Sequence, residues 1–265
     1  MTLLDTYDFG GNDDGLAGFS TLNSPTDNDD YYTFNGTNQG LYVASDYGDE
    51  SDIDIVVRFR VHTKQTSTLW KSGGATNGIA VGLSGSNLGI FGRSGNTLTS
   101  IVTSDFDVDT WYTLYCSKSK IELHDDSGCV ARETGTVGAG NGATAESVGY
   151  AESQSPITYA TSDADYFDGD IDYVSIYDGD SCPFPTLTVS GTVEESGSPV
   201  ARTVRVYNRS DGDLLGSATS DAGDGSWSVE SAYPVGSSST VYVVCLDDDS
   251  GTQYNAQIYD RVSVS

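Results

Sequence analysis

Asp168, Asp170 and Asp172 alternate along the segment FDGDIDYV. On an extended strand, residues two apart leave from one face, so these three carboxylates would stand in a row. Two kinds of chemistry use such a row. Two carboxylates about 5–10 Å apart can cleave a glycosidic bond as acid and base or nucleophile. The usual form on a sheet is E-x-D-x-E, but the eight glutamates of this chain are scattered, so cleavage is not expected. Carboxylate oxygens can instead hold calcium, which wants several hard oxygens at about 2.3–2.6 Å. Asp27, Asn28, Asp29 and Asp30 form one acidic cluster, and Asp163, Asp165, Asp168 and Asp170 another. Neither matches the EF-hand loop, and a solvated acidic surface is the expected reading of both over calcium.

The other reactive side chains are few. His62 and His124 are the two histidines. No G-x-S-x-G elbow or H-E-x-x-H is present, so a serine hydrolase and a three-histidine zinc site are excluded; both histidines read as bystanders. Cys116, Cys129, Cys182 and Cys245 follow no C-x-x-C spacing. They are expected as free thiols, with a Cys116–Cys129 bridge open if their strands are neighbours. Tyr31, Tyr32, Tyr42, Tyr47, Tyr150, Tyr159 and Tyr166 lie in or beside candidate loops, where aromatic faces could stack on sugars.

The elements positioning these groups are strands. Ile53–Val61, Trp111–Cys116, Ile171–Tyr177, Thr203–Tyr207 and Thr240–Leu246 are rich in β-branched and aromatic residues. Asp/Asn/Ser/Gly clusters between them supply the positive φ and local hydrogen bonds of tight turns. With 31 Gly and one Met in 265 residues, the chain cannot be mostly helix. The segment DGDSCPFPT at 178–186 marks a boundary, because proline breaks strand ladders. The expected fold class is all-β. A large antiparallel sandwich of roughly 12–14 strands spans 1–183, and a smaller one of roughly 6–7 strands spans 184–265. The first core should hold Phe34, Phe59, Trp70, Trp111, Phe167, Val174 and Ile176, and the second Val204, Val206, Trp227 and Val243.

Charge limits the partners. There are 39 acids against 12 bases, net −27, and 31 of the acids are Asp. Nucleic acid is excluded as a partner, because phosphate binding needs clustered Lys and Arg. Anionic membranes are disfavoured for the same reason, and no run approaches about 18 apolar residues, so no membrane insertion is expected. So much Asp with four Lys fits a protein made for molar salt, where the Debye length is about 3 Å and self-repulsion is screened. The opening MTLLDTYDFGGNDD lacks the basic and apolar regions of a secretory signal.

Two resemblances sharpen this reading. YYTFNGTNQGLYV at 31–43, Trp111 with IELHDDSGCVARE at 121–133, and FDGDIDYVSIYD at 167–178 together resemble the laminin-G-like, concanavalin-type jelly rolls. The order and spacing match over most of 1–180. HDDSG at 124–128 stands where that family has a shorter turn. The resemblance implies a structural calcium near the terminal strands, which singles out Asp168 and Asp172. LTVSGTVEESGSPVARTV at 187–204, TSDAGDGSW at 219–227 and VYVVCLDDDSGTQYNAQIYDRV at 241–262 resemble the prealbumin-like, carboxypeptidase-regulatory-like small Ig-type sandwiches found in tailed-virus structural proteins. That implies a docking module, not catalysis.

The expected function is therefore a non-enzymatic structural protein on the surface of a tailed virion, made in the host cytoplasm, of a virus adapted to high salt. The lack of a stem repeat favours a capsid decoration or turret protein over a tail fibre or baseplate component. Its expected partners are other virion proteins, further copies of itself as a homo-oligomer on the particle, and host surface glycans. The alternative is a carbohydrate-binding module or a glycoside-active enzyme.

Overall fold

The computed structural model describes residues 3–9, 20–43, 53–140, 142, 145–179, 182–209, 212–232, 240–247 and 256–263. Tyr47 lies outside them. The described residues form strands, turns and loops and no helix. The chain divides into two compact units, Met1–Asp126 with Val130–Pro183, and Ser127–Cys129 with Phe184–Ser265; Cys129 itself lies on the strand that pairs with Lys120–Asp125 in the first unit's sheet.

The first unit carries β1 (Leu3–Asp8), β2 (Ser20–Leu22), β3 (Thr26–Asp27), β4 (Tyr32–Asn35), β5 (Gly40–Val43), β6 (Ile53–Val61), β7 (Ser67–Gly73) and β8 (Asn77–Ser84). It continues with β9 (Asn87–Ser94), β10 (Thr97–Thr103), β11 (Trp111–Cys116), β12 (Lys120–Asp125), β13 (Gly128–Thr134), β14 (Glu146–Val148) and β15 (Asp168–Asp178). An eight-stranded sheet runs β13-β12-β11-β6-β15-β4-β3, with β1 also on β15; a seven-stranded sheet runs β10-β9-β8-β7-β14-β5-β2. The pairings with resolved register are antiparallel. Long β15 serves two neighbours along one edge: its start pairs with β4 and its end with β1.

Period two explains the core between these sheets. On β6, Ile53, Ile55, Val57, Phe59 and Val61 point inward and are buried, while Arg58 and Arg60 point out. Phe34, Trp70, Phe167, Val174 and Ile176 join them. Each such side chain removed from water contributes about 1.5–3 kcal/mol. Trp111 does not join them. On β11 the inward set is Tyr112, Leu114 and Cys116, so Trp111, Thr113 and Tyr115 face outward.

The outer face of the seven-stranded sheet is covered by the chain itself. Ile157, from the segment between β14 and β15, packs on Ala80 and Phe91. Arg93 donates to the Pro156 and Ile157 carbonyls. Tyr150 is buried and stacks on Tyr166 at 5.6 Å. The entry to this segment requires glycine: Gly149 has φ +76°, and a Cβ there would lie 2.3 Å from the Phe34 ring.

The second unit comprises β16 (Thr186–Thr192), β17 (Glu194–Glu195), β18 (Ser198–Pro199), β19 (Thr203–Asn208), β20 (Leu214–Thr219), β21 (Ser226–Ala232), β22 (Thr240–Cys245) and β23 (Gln257–Ser263). β16 pairs with β21, β17 with β18, and a four-stranded sheet runs β20-β19-β22-β23. Leu187, Val189, Val204, Val206, Val229, Val241 and Val243 form its core, with Trp227 partly buried against it.

The bridge considered for Cys116 and Cys129 is absent. β12 separates β11 from β13, so the two cysteines are not on neighbouring strands, and none of the four cysteines forms a disulfide. The HDDSG stretch resolves without a long loop. β12 continues through Asp125, only Asp126 and Ser127 form the turn, and Gly128 starts β13.

Candidate functional site

The outer face of the eight-stranded sheet concentrates the chain's half-buried aromatics and arginines. β11 contributes Trp111 and Tyr115, β6 contributes Arg58 and Arg60, and β15 contributes Asp170, Asp172, Tyr173 and Tyr177. Cross-strand register sets them side by side: Arg60 is opposite Trp111 and Asp170, and Arg58 is opposite Thr113 and Tyr173. A bulge on β15 between Ile171 and Tyr173 shifts the register there. Ile171 and Val174 both face the core, so the consecutive residues Asp172 and Tyr173 both face outward.

The acid row on β15 meets a row of bases on β6 and just beyond it. Asp170 is 1% exposed. It accepts from Arg60 Nε at 2.7 Å and Nη2 at 2.6 Å, from Thr33 Oγ1 at 2.6 Å, and lies 3.1 Å from His62 Nε2. Asp172 pairs with Arg58 at 3.2 Å, and Asp168 stands 4.0 Å from His62 Nδ1. Burial pushes the Asp172 carboxyl above the usual range; Arg58 opposes this, while Asp8 and Asp30 add to it. Among the described residues, no group of three His, Cys, Asp or Glu donors includes Asp168 or Asp172. Each of the two faces a base, Asp168 the His62 ring and Asp172 the Arg58 guanidinium, and Asp8 and Asp30 lie near Asp172.

Arg60 sits between two rings. Its guanidinium carbon lies 5.1 Å from the Trp111 centroid and 5.7 Å from that of Tyr31, and the two rings meet edge to face at 5.4 Å. Arg58 approaches Trp111 at 5.5 Å. Fixed by Asp170 and Asp172, the guanidinium planes hold Trp111 without enclosing it. Beyond Arg58, Tyr115, Tyr173 and Tyr177 line a shallow cleft of about 350 Å³ with Thr6, Asp8 and Ser175. Burial raises the Tyr115 phenol to about 12 and pushes up Tyr173, which hydrogen-bonds Thr113. These phenols therefore stay neutral donors at any physiological pH.

The face is a row of aromatic rings flanked by planar charged groups and hydroxyls. A ring's negative face attracts the polarised C–H groups of a sugar. Fixed guanidinium, carboxylate and phenol groups can bond paired hydroxyls. Of the loop tyrosines expected to meet sugars, Tyr31 belongs to this face. Tyr32 and Tyr150 are buried, Tyr166 stacks on Tyr150, and Tyr159 is tied to Asn96 and Arg93. Tyr42 lies on β5 in the other sheet. Tyr115, Tyr173 and Tyr177 were hidden as strand residues; only their outward parity distinguishes them. Both histidines make side-chain contacts. His62 braces Asp170, and His124 is buried 3.1 Å from Glu122 Oε2. Glu122 itself is buried, which by itself would raise its carboxyl. Hydrogen bonds from His124, Arg132 and Lys120 outweigh burial and hold it at about 2.

No family model and no curated protein matches the sequence. Solved structures that align with it do so at low identity. Domain 4 of AbnA, a GH43 extracellular arabinanase from Geobacillus stearothermophilus, in complex with arabinotriose, is 14% identical, with TM-score 0.43 over 67% of this chain and 93% of that one. The VIP36 exoplasmic/lumenal domain in its Ca2+/Man3GlcNAc-bound form is 12% identical, with TM-score 0.38 over 67% and 90%. The botulinum neurotoxin serotype C1 binding domain is 11% identical, with TM-score 0.40 over 92% and 74%.

Proposed function

We propose that the first unit binds glycans on the outer face of its eight-stranded sheet, without cleaving them, and that the chain serves as a surface component of a tailed-virus particle. The observation that carries the binding reading is the continuous row Tyr177, Tyr115, Tyr173, Arg58, Trp111, Arg60, Tyr31. The row is half-buried and rigidly braced, while the opposite sheet face is covered by residues 149–167. Arg58 and Arg60 are already paired with Asp172 and Asp170, which favours a neutral glycan as the ligand. Asp170 and Asp172 are each paired with an arginine, which supports binding without cleavage.

The virion assignment rests on the sequence resemblance of 187–265 to tailed-virus structural modules. In this reading the second unit docks the chain on other virion proteins, as a capsid decoration or turret component, and copies assemble as a homo-oligomer. A cleft of about 610 Å³ between β16 and β23, lined by Val189, Trp227 and Tyr259 together with Thr192, Glu194 and Gln257, offers a docking surface.

Two measurements test the proposal. A glycan array followed by calorimetry should find a neutral oligosaccharide ligand. Trp111→Ala should then raise its Kd roughly 30-fold, the equivalent of losing a central aromatic contact worth about 2 kcal/mol. Antibody labelling of purified particles should place the chain on the capsid. A carbohydrate-binding module of a glycan-active enzyme would use the same face but leave particles unlabelled. Release of reducing sugar from the ligand would overturn the non-enzymatic assignment.

A further inference from the structure

The β12–β13 hairpin carries a second cluster on the same outer face, beside Tyr115, whose ring meets that of His124 edge to face at 5.3 Å. Glu122, His124 and Cys129 are buried, and a carboxylate oxygen, an imidazole nitrogen and the sulfur all lie within 4.8 Å of one another. Glu122 and His124 are two apart on β12 and share its outer face. The two-residue turn at Asp126–Ser127 returns Cys129 beside them. Oxygen, nitrogen and sulfur from three side chains make up a zinc donor set, with bonds of about 2.0–2.2 Å to oxygen and nitrogen and about 2.3 Å to sulfur. At those lengths, tetrahedral donors stand about 3.3–3.7 Å apart. His124 Nε2 is already 3.1 Å from Glu122 Oε2. Closing the set around an ion therefore needs shifts of only about 1 Å, within reach of side-chain torsions.

The second oxygen of Glu122 is fixed separately. Oε1 accepts from Arg132 Nε at 2.8 Å and Lys120 Nζ at 3.0 Å. These bonds orient the carboxylate and leave Oε2 toward the imidazole and thiol, as outer partners of metal ligands do. The two cations oppose a further positive charge. Their side chains are 23% and 28% exposed, so water screens them, and the chain's net −27 and the adjoining Asp125 and Asp126 act the other way.

We propose that Glu122, His124 and Cys129 form a zinc-type site with three protein donors and a fourth position open to water. On binding, the Cys129 thiol releases its proton to solvent and its sulfur lone pair bonds the ion. His124 bonds through one ring nitrogen and keeps its proton on the other, and the carboxylate of Glu122 is already ionised. No electron changes hands.

The test titrates the full chain, stripped with chelator, with Co2+ and Zn2+ in molar KCl, which suppresses loose binding by surface carboxylates. One equivalent of Co2+ should produce a thiolate-to-cobalt charge-transfer band, which Zn2+ abolishes. Zinc at about 100 times its Kd should raise the melting temperature by about 5–10 °C. Cys129→Ser and His124→Asn should lose both effects, and Cys182→Ser should keep them. X-ray absorption of the wild-type zinc form, which needs no variant, should show one sulfur among nitrogen and oxygen neighbours. An all-oxygen shell, no stoichiometric binding, or a cobalt band that survives Cys129→Ser would overturn the proposal.

Discussion

Asp170→Asn should destabilise the first unit by about 3 kcal/mol, lowering its melting temperature by about 6–12 °C. Asp170 is 1% exposed and accepts two bonds from Arg60 and one from Thr33, beside His62. The amide turns one acceptor into a donor aimed at other donors, and leaves Arg60 without its counter-charge. Breaking a buried pair costs about 3–5 kcal/mol. The lower end applies because the Arg60 side chain is 28% exposed and water recovers part of the loss. Asp172→Asn is the matched control. Burial already disfavours its charge, so its removal should change stability by no more than about 0.5 kcal/mol, with or without calcium. Thermal unfolding of both variants reads the difference directly. Equal effects would contradict the distinct environments assigned to the two carboxylates. A calcium-dependent loss in Asp172→Asn would restore that residue as a metal ligand.

The melting temperature should also fall steeply when the protein is moved from molar KCl to a few millimolar. With 39 acids against 12 bases, folding concentrates mutually repelling charges. The Debye length grows from about 3 Å at 1 M to about 30 Å at 0.01 M, so at low salt nearly all of these charges interact. Arg58, Arg60 and Arg132 are committed to Asp172, Asp170 and Glu122, which leaves few bases to offset the rest of the surface. Sucrose at equal osmolarity should not substitute for the salt, which separates screening from preferential exclusion. Differential scanning calorimetry between about 0.05 and about 3 M KCl, over which the Debye length shrinks several-fold, checks this. A flat profile would remove the high-salt reading and leave the acidity to be explained by a partner.

The sandwich was legible because its strands keep period two. Phe34, Phe59, Val174 and Ile176 could be assigned to the core from alternation alone. Trp111 could not. WYTLYC is aromatic or apolar at most positions of either parity, and only packing against Phe59 and Phe106 selects Tyr112 as the inward ring. The row of Asp168, Asp170 and Asp172 was visible in sequence, but its partners were not. Arg60 is 110 residues from Asp170, and no local pattern announces that β6 lies beside β15. The acids therefore suggested calcium with no sign in the sequence that His62, Arg60 and Arg58 face them. The Glu122, His124 and Cys129 cluster was hidden for a related reason. Residues two apart on a strand and a third across a tight turn match no metal spacing read along the chain.

The central claim is that glycan binds on the outer face of the eight-stranded sheet, and mapping the contact by NMR tests it most directly. The isotope-labelled chain is titrated with the strongest neutral oligosaccharide from the array. The indole N–H signal of Trp111 and the backbone signals of residues 56–60, 111–115 and 170–177 should then shift together and saturate at a single Kd. Signals of Ala80, Phe91 and Ile157 on the covered opposite face should stay unchanged. Saturable shifts confined to the opposite sheet or to the second unit, with Trp111 unmoved, would contradict the account.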